Sequence, residues 1–331
     1  MVRRHLLEVE EVAGLIARGD ALMLAGDERA LARLPPGRWI GGTIPYFMTE
    51  GGGVVDRRRV FAEALPPGFE CVRVSRYDAD EISGVYRDLP ARGMGIVIVP
   101  SASRTHLAFA LNAPRYDRFA TAPLFGWVSG VHLSDIGVAT PKVFDGPTGE
   151  ALEHQAVVMH VSIPPSKVAE LSILNIFEKG SGPAVTFPST GFSATTANIG
   201  GERRNFAEYI DETGLDTRAP LVADYCGANV NVSFLAVDRR GREVHFYAPV
   251  FADVVYHHAK PLGDYVGAFV SALPSGLGER LALSCNCVLN YIHSGLEGRR
   301  TGDIVGPMTF GEIAYQLLNQ TMVYVTVSDA R

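Results

Sequence analysis

The sequence predicts an α/β protein of mixed α+β type, built as two related halves, each a mixed β-sheet flanked by helices. Three observations carry this expectation. Strand-like apolar runs alternate with helix-period segments through the first third of the chain. Later segments alternate more strongly with period two, and 35 glycines and 20 prolines supply tight connections between short elements. A pocket is expected between the halves or at the ends of their strands.

Taken in order, Leu6, Leu7, Val9, Val12, Leu15 and Ile16 recur at helical spacing and predict an amphipathic N-terminal helix. Residues 21–26 predict a strand and 28–34 a short helix. Residues 38–44 (RWIGGTI) predict a strand that runs into Pro45-Tyr46-Phe47, before the flexible Gly51-Gly52-Gly53. Residues 69–77 alternate as a strand, and 79–89 follow as a helix with Asp78 as its N-cap. Residues 94–102 form a compact apolar strand and 105–114 a helix stopped by Pro114. Two more strand-like runs follow, LFGWVSGVH and residues 156–164.

The texture changes at 178–205, where Ser, Thr and Gly dominate; this reads as a segment connecting two halves. The expected division is 1–165, a connecting segment at 166–220 with one helix, and 221–331. Residues 204–214 predict that helix, ended by Gly214. A hairpin turns at Asp238-Arg239-Arg240-Gly241, and Pro274 closes a helix over 264–273. No exact repeat is visible. The last segment reads as a strand (LALSC), a glycine-rich loop, and a second strand (LLNQTMVYVTV) whose residues alternate.

Composition excludes several classes. Hydrophobic residues make up 47% and charged residues 20%, which suits a globular chain. The net charge of −6 gives no electrostatic footprint for nucleic acid. The short clusters Arg57-Arg58-Arg59, Arg203-Arg204 and Arg299-Arg300 read as solvated loop charges. No run reaches the roughly 18 apolar residues of a membrane span, and the N-terminus lacks a leader pattern. Four cysteines without such a leader imply reduced thiols and a cytoplasmic location.

The candidate chemistry concentrates near the C-terminus. Cys285 and Cys287 sit two apart on a strand and face one side, so they read as buried apolar groups, a reactive thiol or two metal thiolates. Structural zinc would need a second ligand pair, and no metal site is predicted. His293, His257 and His258 are the imidazoles available to pair with a thiol. Glu312, beside Gly311 in an apolar setting, must be paired, exposed or facing a cavity, where it could hold an amine or act as a base. Asn319 and Thr321 project from one strand face and offer an amide and a hydroxyl. Neither a phosphate-binding P-loop nor a dinucleotide fingerprint is present.

An ordered set of segments resembles the FIST family of ligand-sensing modules, found in bacterial and eukaryotic signalling proteins. Phe246-Tyr247-Ala248-Pro249 precedes a helix starting near Asp264-Tyr265. Then come Leu283-Ser284-Cys285, Gly306-Pro307-Met308-Thr309-Phe310-Gly311-Glu312-Ile313 and Leu318-Asn319-Gln320-Thr321. Ile40-Gly41-Gly42-Thr43 is similar to that family's glycine-rich strand end, although Ile44-Pro45-Tyr46 replaces the small ending expected there. The loop from Cys285 to Tyr291 also lacks the family's arginine-type polar residue. The resemblance implies a small-molecule sensor acting through a separate partner, with haem binding, reported for some members, left open.

The expected ligand contacts are Thr43, Tyr46, Asn286, Cys287, His293, Gly311, Glu312, Asn319 and Thr321, and no cofactor is predicted. A thiol or Glu312 enzyme acting on a small acyl or amine compound is the alternative, with Cys285, Cys287 and Glu312 as its candidates. A haem- or metal-dependent sensor is the second alternative. The expected partners are a small-molecule ligand and a second copy of the chain, without nucleic acid or membrane.

Overall fold

In a computed structural model of the chain, residues 4–225 and 228–330 are described. Cys226 lies outside them. Mixed α+β is the class observed: short helices pack on extensive, mostly antiparallel sheets. Where a segment is apolar on both faces or alternates strongly, the strand forms as expected. Leu22–Gly26, Trp39–Thr43, Glu70–Tyr77, Gly93–Pro100 and Ala156–Ser162 are examples.

Four local expectations need correction. The N-terminal apolar residues divide between a strand, Arg4–Leu7, and a helix, Val9–Ala17. A capping box causes the break: Glu8 N donates to the Glu11 carboxylate at 2.9 Å while the Glu8 carboxylate caps the first turn. Residues 79–89 form only a 3₁₀ turn at Ile82–Gly84. Asp78 Oδ1 accepts from Asp80 N and Glu81 N and folds the chain into a turn, while buried Ile82, Val85, Tyr86 and Leu89 anchor it.

The segment 178–205 is not a plain connection but holds Val185–Thr186, Gly191–Ala194, Thr196–Ile199 and Glu202–Asn205 as strands. The final strand is interrupted: Gln316–Leu318 and Met322–Asp329 flank a break where Gln320 takes φ 49°. Asn319 and Thr321 therefore lie in a crossing, not on one strand face.

The chain divides into two compact units. The first comprises residues up to Leu174, Leu273–Leu317, and Met322 onward; the second is Asn175–Ala272 with Leu318–Thr321. The second unit has its own aromatic core. Phe187 packs edge-on against Phe206, Phe246 and Tyr256 at 5.5–5.7 Å. Its short Leu318–Thr321 segment is held by amides: Asn231 Nδ2 donates to the carbonyls of Asn319 and Gln320, and Ser233 Oγ donates to Gln320 Oε1 at 2.7 Å. Asn231, Ser233, Asn319 and Gln320 are all buried, so these bonds offset the cost of removing their polar groups from water.

Among the described residues, the first unit contributes to three six-stranded sheets, and each holds a parallel pair. The pairs are Leu22–Gly26 with Trp39–Thr43, Gly93–Pro100 with Leu124–Ser129, and Leu281–Cys287 with Gly306–Thr309. Parallel neighbours require a crossover. Each crossover here carries a helix: Glu28–Leu31, Arg104–Asn112 and Val288–His293.

The first two sheets meet closely. Gly42 lies against Trp127 and Ile98, and a Cβ there would come within 2.5 Å of the indole. On the other face of the first sheet, Trp39, Leu22 and Leu24 pack with Val9, Val12 and Ile16 of the N-terminal helix. The spacing Val9, Val12, Ile16 is the buried stripe of that helix.

Candidate functional site

The second strand of each parallel pair ends in a hydroxyl residue: Thr43, Ser129 and Thr309, all buried. These three strand ends converge. Gly130 N donates to Thr43 O at 2.6 Å, and Phe310 N donates to Val128 O at 3.1 Å. The Phe310 ring lies against Gly130 so closely that a Cβ there would meet it at 2.2 Å, so glycine is required for the approach. A cleft of about 570 Å³ opens at this junction, with Thr43, Ile44, Gly130 and Val131 among its lining residues.

One wall is residues 130–140, and Tyr46 secures it. The Tyr46 ring stacks on His132 at 5.5 Å with planes 16° apart, and its hydroxyl accepts from Leu133 N at 3.0 Å. Tyr291, from the third crossover, meets Tyr46 edge-on at 5.6 Å. Burial pushes the Tyr46 phenol up, which keeps it neutral. A second stretch of wall is the Asp56–Arg59 turn, joined to the first by the Arg57–Asp135 ion pair. Asp56 Oδ1 accepts from Arg58 N and Arg59 N, both at 2.8 Å, and Oδ2 accepts from Arg59 Nε at 2.7 Å. Burial alone would raise the Asp56 carboxyl, but these amides and the Arg59 guanidinium hold it below its ordinary value. Arg59 is thereby turned back onto Asp56, while Arg57 and Arg58 reach the cleft.

The cleft is lined by four acids, Glu8, Asp27, Glu28 and Asp135, and four arginines, Arg29, Arg33, Arg57 and Arg58. Its acids are already engaged: Glu8 caps its helix, Asp27 accepts from Arg29 N at 3.1 Å, Glu28 pairs with Lys142 at 2.6 Å, and Asp135 pairs with Arg57 at 2.8 Å. The Ser134 hydroxyl, with Arg57 behind it, holds the Asp135 carboxyl below its ordinary range. Arg33 pairs with Glu10. Among the described residues, the guanidinium groups of Arg29 and Arg58 have no acidic partner.

Of the expected ligand contacts, only Thr43 lines this cleft, with Tyr46 directly behind it. Thr43 Oγ1 is itself tied to the backbone of Lys142, accepting from its N at 2.9 Å. Asn286, Cys287, Gly311 and Glu312 are buried in the first unit. Asn286 Oδ1 accepts from Cys287 N and Asn290 Nδ2, and Gly311 O accepts from Val128 N at 2.8 Å. His293 is exposed at the end of its helix. Asn319 and Thr321 belong to the second unit, as do His257 and His258, whose rings lie at hydrogen-bond distance from the carbonyls of Gly182 and Asp216. Of the seven expected contacts in the first unit, only Thr43 reaches the cleft.

Cys285, Glu312 and Glu63 form a second, closed cluster in the first unit. Glu312 pairs across from Trp127, and Glu63 lies in Val60–Ala64; both are fully buried. Cys285 Sγ donates to Gly126 O at 3.4 Å. Burial pushes this thiol well up, and the carboxyl groups of Glu312 and Glu63 push it further. That environment works against a thiolate, the form a nucleophile or metal ligand needs. Glu63 was not singled out in the sequence, although a lone acid inside the apolar VFAEA run is the same signal that marked Glu312. Arg58, Arg29 and His132 were also missed, because the fold joins them from distant parts of the chain.

The fold and site together define a mixed α+β protein with an open cleft at the ends of its parallel strands. The chain belongs to a family of unknown function (DUF6976), which it matches over residues 7–328. No curated protein and no solved structure matches it. This finding corrects the expected FIST membership. The short motifs behind that resemblance have local explanations here, in the Glu312–Trp127 strand pairing and the Asn319–Thr321 crossing. Among the described residues, no group of three or more His, Cys, Asp and Glu side chains could hold a metal ion. No helix among them is long and apolar enough to cross a membrane.

Proposed function

We propose that the protein binds a small molecule in the strand-end cleft of its first unit. One observation carries this reading: three parallel crossovers deliver Thr43, Gly130 and Phe310 to a single junction, and the cleft opens there. Parallel strands direct their C-terminal ends, with the loops that follow, toward a common crevice, which is where open α/β sheets take ligands. The volume falls in the range of about 300–1,000 Å³ common to small-molecule sites. Occupancy would be passed to a separate partner through the 130–140 wall, which Tyr46 and Arg57 tether.

The test is a thermal-shift screen with amino acids, small acids, amines and nucleotides, since a ligand selective for the folded state raises its melting temperature. Each hit is repeated on Thr140→Trp, which places an indole in the cleft from an exposed wall position. Loss of the shift supports the reading. A shift of the same size in Thr140→Trp removes the cleft from consideration.

A further inference from the structure

We infer that the cleft takes an anion: a small molecule bearing a carboxylate or phosphate-ester group on a compact apolar body, with Arg58 and Arg29 as its charge partners. The inference rests on the reading of the cleft as the binding site and adds the chemical class of its occupant. Four lining acids, Glu8, Asp27, Glu28 and Asp135, are each committed to a cap or an ion pair. Glu28 and Asp135 are thus answered by cations within the protein, while Glu8 and Asp27 accept backbone amides. Arg33 and Arg57 are likewise committed. Arg29 and Arg58 line the same cleft, and neither has an acid within ion-pair distance among the described residues.

The turn chemistry explains why Arg58 stays available. Asp56 spends its carboxylate on the backbone of Arg58 and on the side chain of Arg59, so the guanidinium of Arg58 is the one it does not take. Arginine suits this role because its planar fork matches the two oxygens of a carboxylate or phosphate. The remaining lining includes the accessible Val131 and Ala139, which give the ligand's body an apolar surface, with buried Ile44 and Pro45 beneath.

Titration calorimetry with benzoate, phenyl phosphate and the neutral benzyl alcohol tests this. The expected result is that at least one anion binds at least about tenfold more tightly than the alcohol, and that Arg58→Gln or Arg29→Gln each weakens it by about tenfold, the worth of one charge-assisted hydrogen bond. Both arginines are exposed, so these substitutions leave the core untouched. Rising salt weakens the anion and spares the alcohol. The ratio of benzoate to phenyl phosphate identifies which anionic group the site prefers.

Equal binding of alcohol and anions, lost together in Thr140→Trp, overturns the anion inference and leaves the cleft as the site. Anion binding that survives Thr140→Trp overturns both. Failure of all three probes to bind at millimolar concentration overturns the anion inference, and the broader screen then decides the cleft.

Discussion

The ring of Tyr46 stacks on His132 at 5.5 Å, and the Tyr46 hydroxyl accepts from the amide of Leu133 next to it. One side chain thus ties a strand of the third sheet to the wall of the cleft. Tyr46→Phe keeps the stack and deletes the hydrogen bond, leaving Leu133 N without that acceptor. A loss of about 1 kcal/mol in denaturant stability is expected. Ligand affinity should fall with it, because the wall is less firmly placed. An affinity unchanged within error would separate the wall from binding.

Gly126 passes the neighbouring strand at the limit of contact: a Cβ there would sit 1.8 Å from Val97 O. Backbone cannot step aside as a flexible side chain can. Gly126→Ala is therefore expected to cost about 3 kcal/mol or more, at or beyond the upper end for overpacking. Gly182→Ala, with nothing within 4 Å, is the control and should change stability by less than about 0.5 kcal/mol. Urea denaturation of the two variants compares them directly, and similar midpoints would contradict the packing described here.

Cys285 and Cys287 are expected to resist alkylation in the folded protein and to react once it unfolds. Both are buried, and Cys285 has two carboxyl groups raising it in addition to burial. Iodoacetamide labelling followed by peptide mass spectrometry at pH 8, with and without urea, reads this out. Rapid stoichiometric labelling of either cysteine without urea would revive a thiol chemistry.

Acid sensitivity should have a histidine component. Burial pushes His160 down to about 4, with Arg73 adding to the effect, against an ordinary value of 6.5; burial does the same to His106. The folded value is depressed, so between about 6.5 and 4 the unfolded chain binds more protons than the folded one. Stability is therefore full above 6.5 and declines as the pH falls through that window. His160 alone contributes up to about 1.4 kcal/mol per pH unit. Urea midpoints from pH 7 to 4.5 should show the slope, and His160→Gln should lessen it. A flat profile would contradict the burial of both rings as neutral groups.

Much of the fold was legible because many elements are locally determined. Leu22–Gly26, Gly93–Pro100 and Ala156–Ser162 are apolar on both faces, and the Phe206–Thr213 helix stops at Gly214 with φ 63°. The short strands of 185–205 were not legible, since two to four residues rich in Ser, Thr and Gly carry no period to read. Nor was the break at Gln320, whose left-handed backbone is held by partners nearly ninety positions away, such as Ser233.

The candidate site was legible only at its floor. The glycine-rich strand end pointed to Thr43 and Tyr46, but Arg58 looked like any solvated loop arginine. Its setting depends on which acids the fold commits elsewhere, and no local window contains that information. Glu312 and Cys285 carried the strongest chemical signals, and the fold closes them inside a core.

The central claim is that a ligand occupies the strand-end cleft. Hydrogen–deuterium exchange on the wild-type protein, with and without the strongest thermal-shift ligand, tests it most directly. Protection is predicted at residues 43–46, 57–58 and 130–140, the floor and two walls of the cleft. Protection confined to other segments, with binding intact, would contradict it.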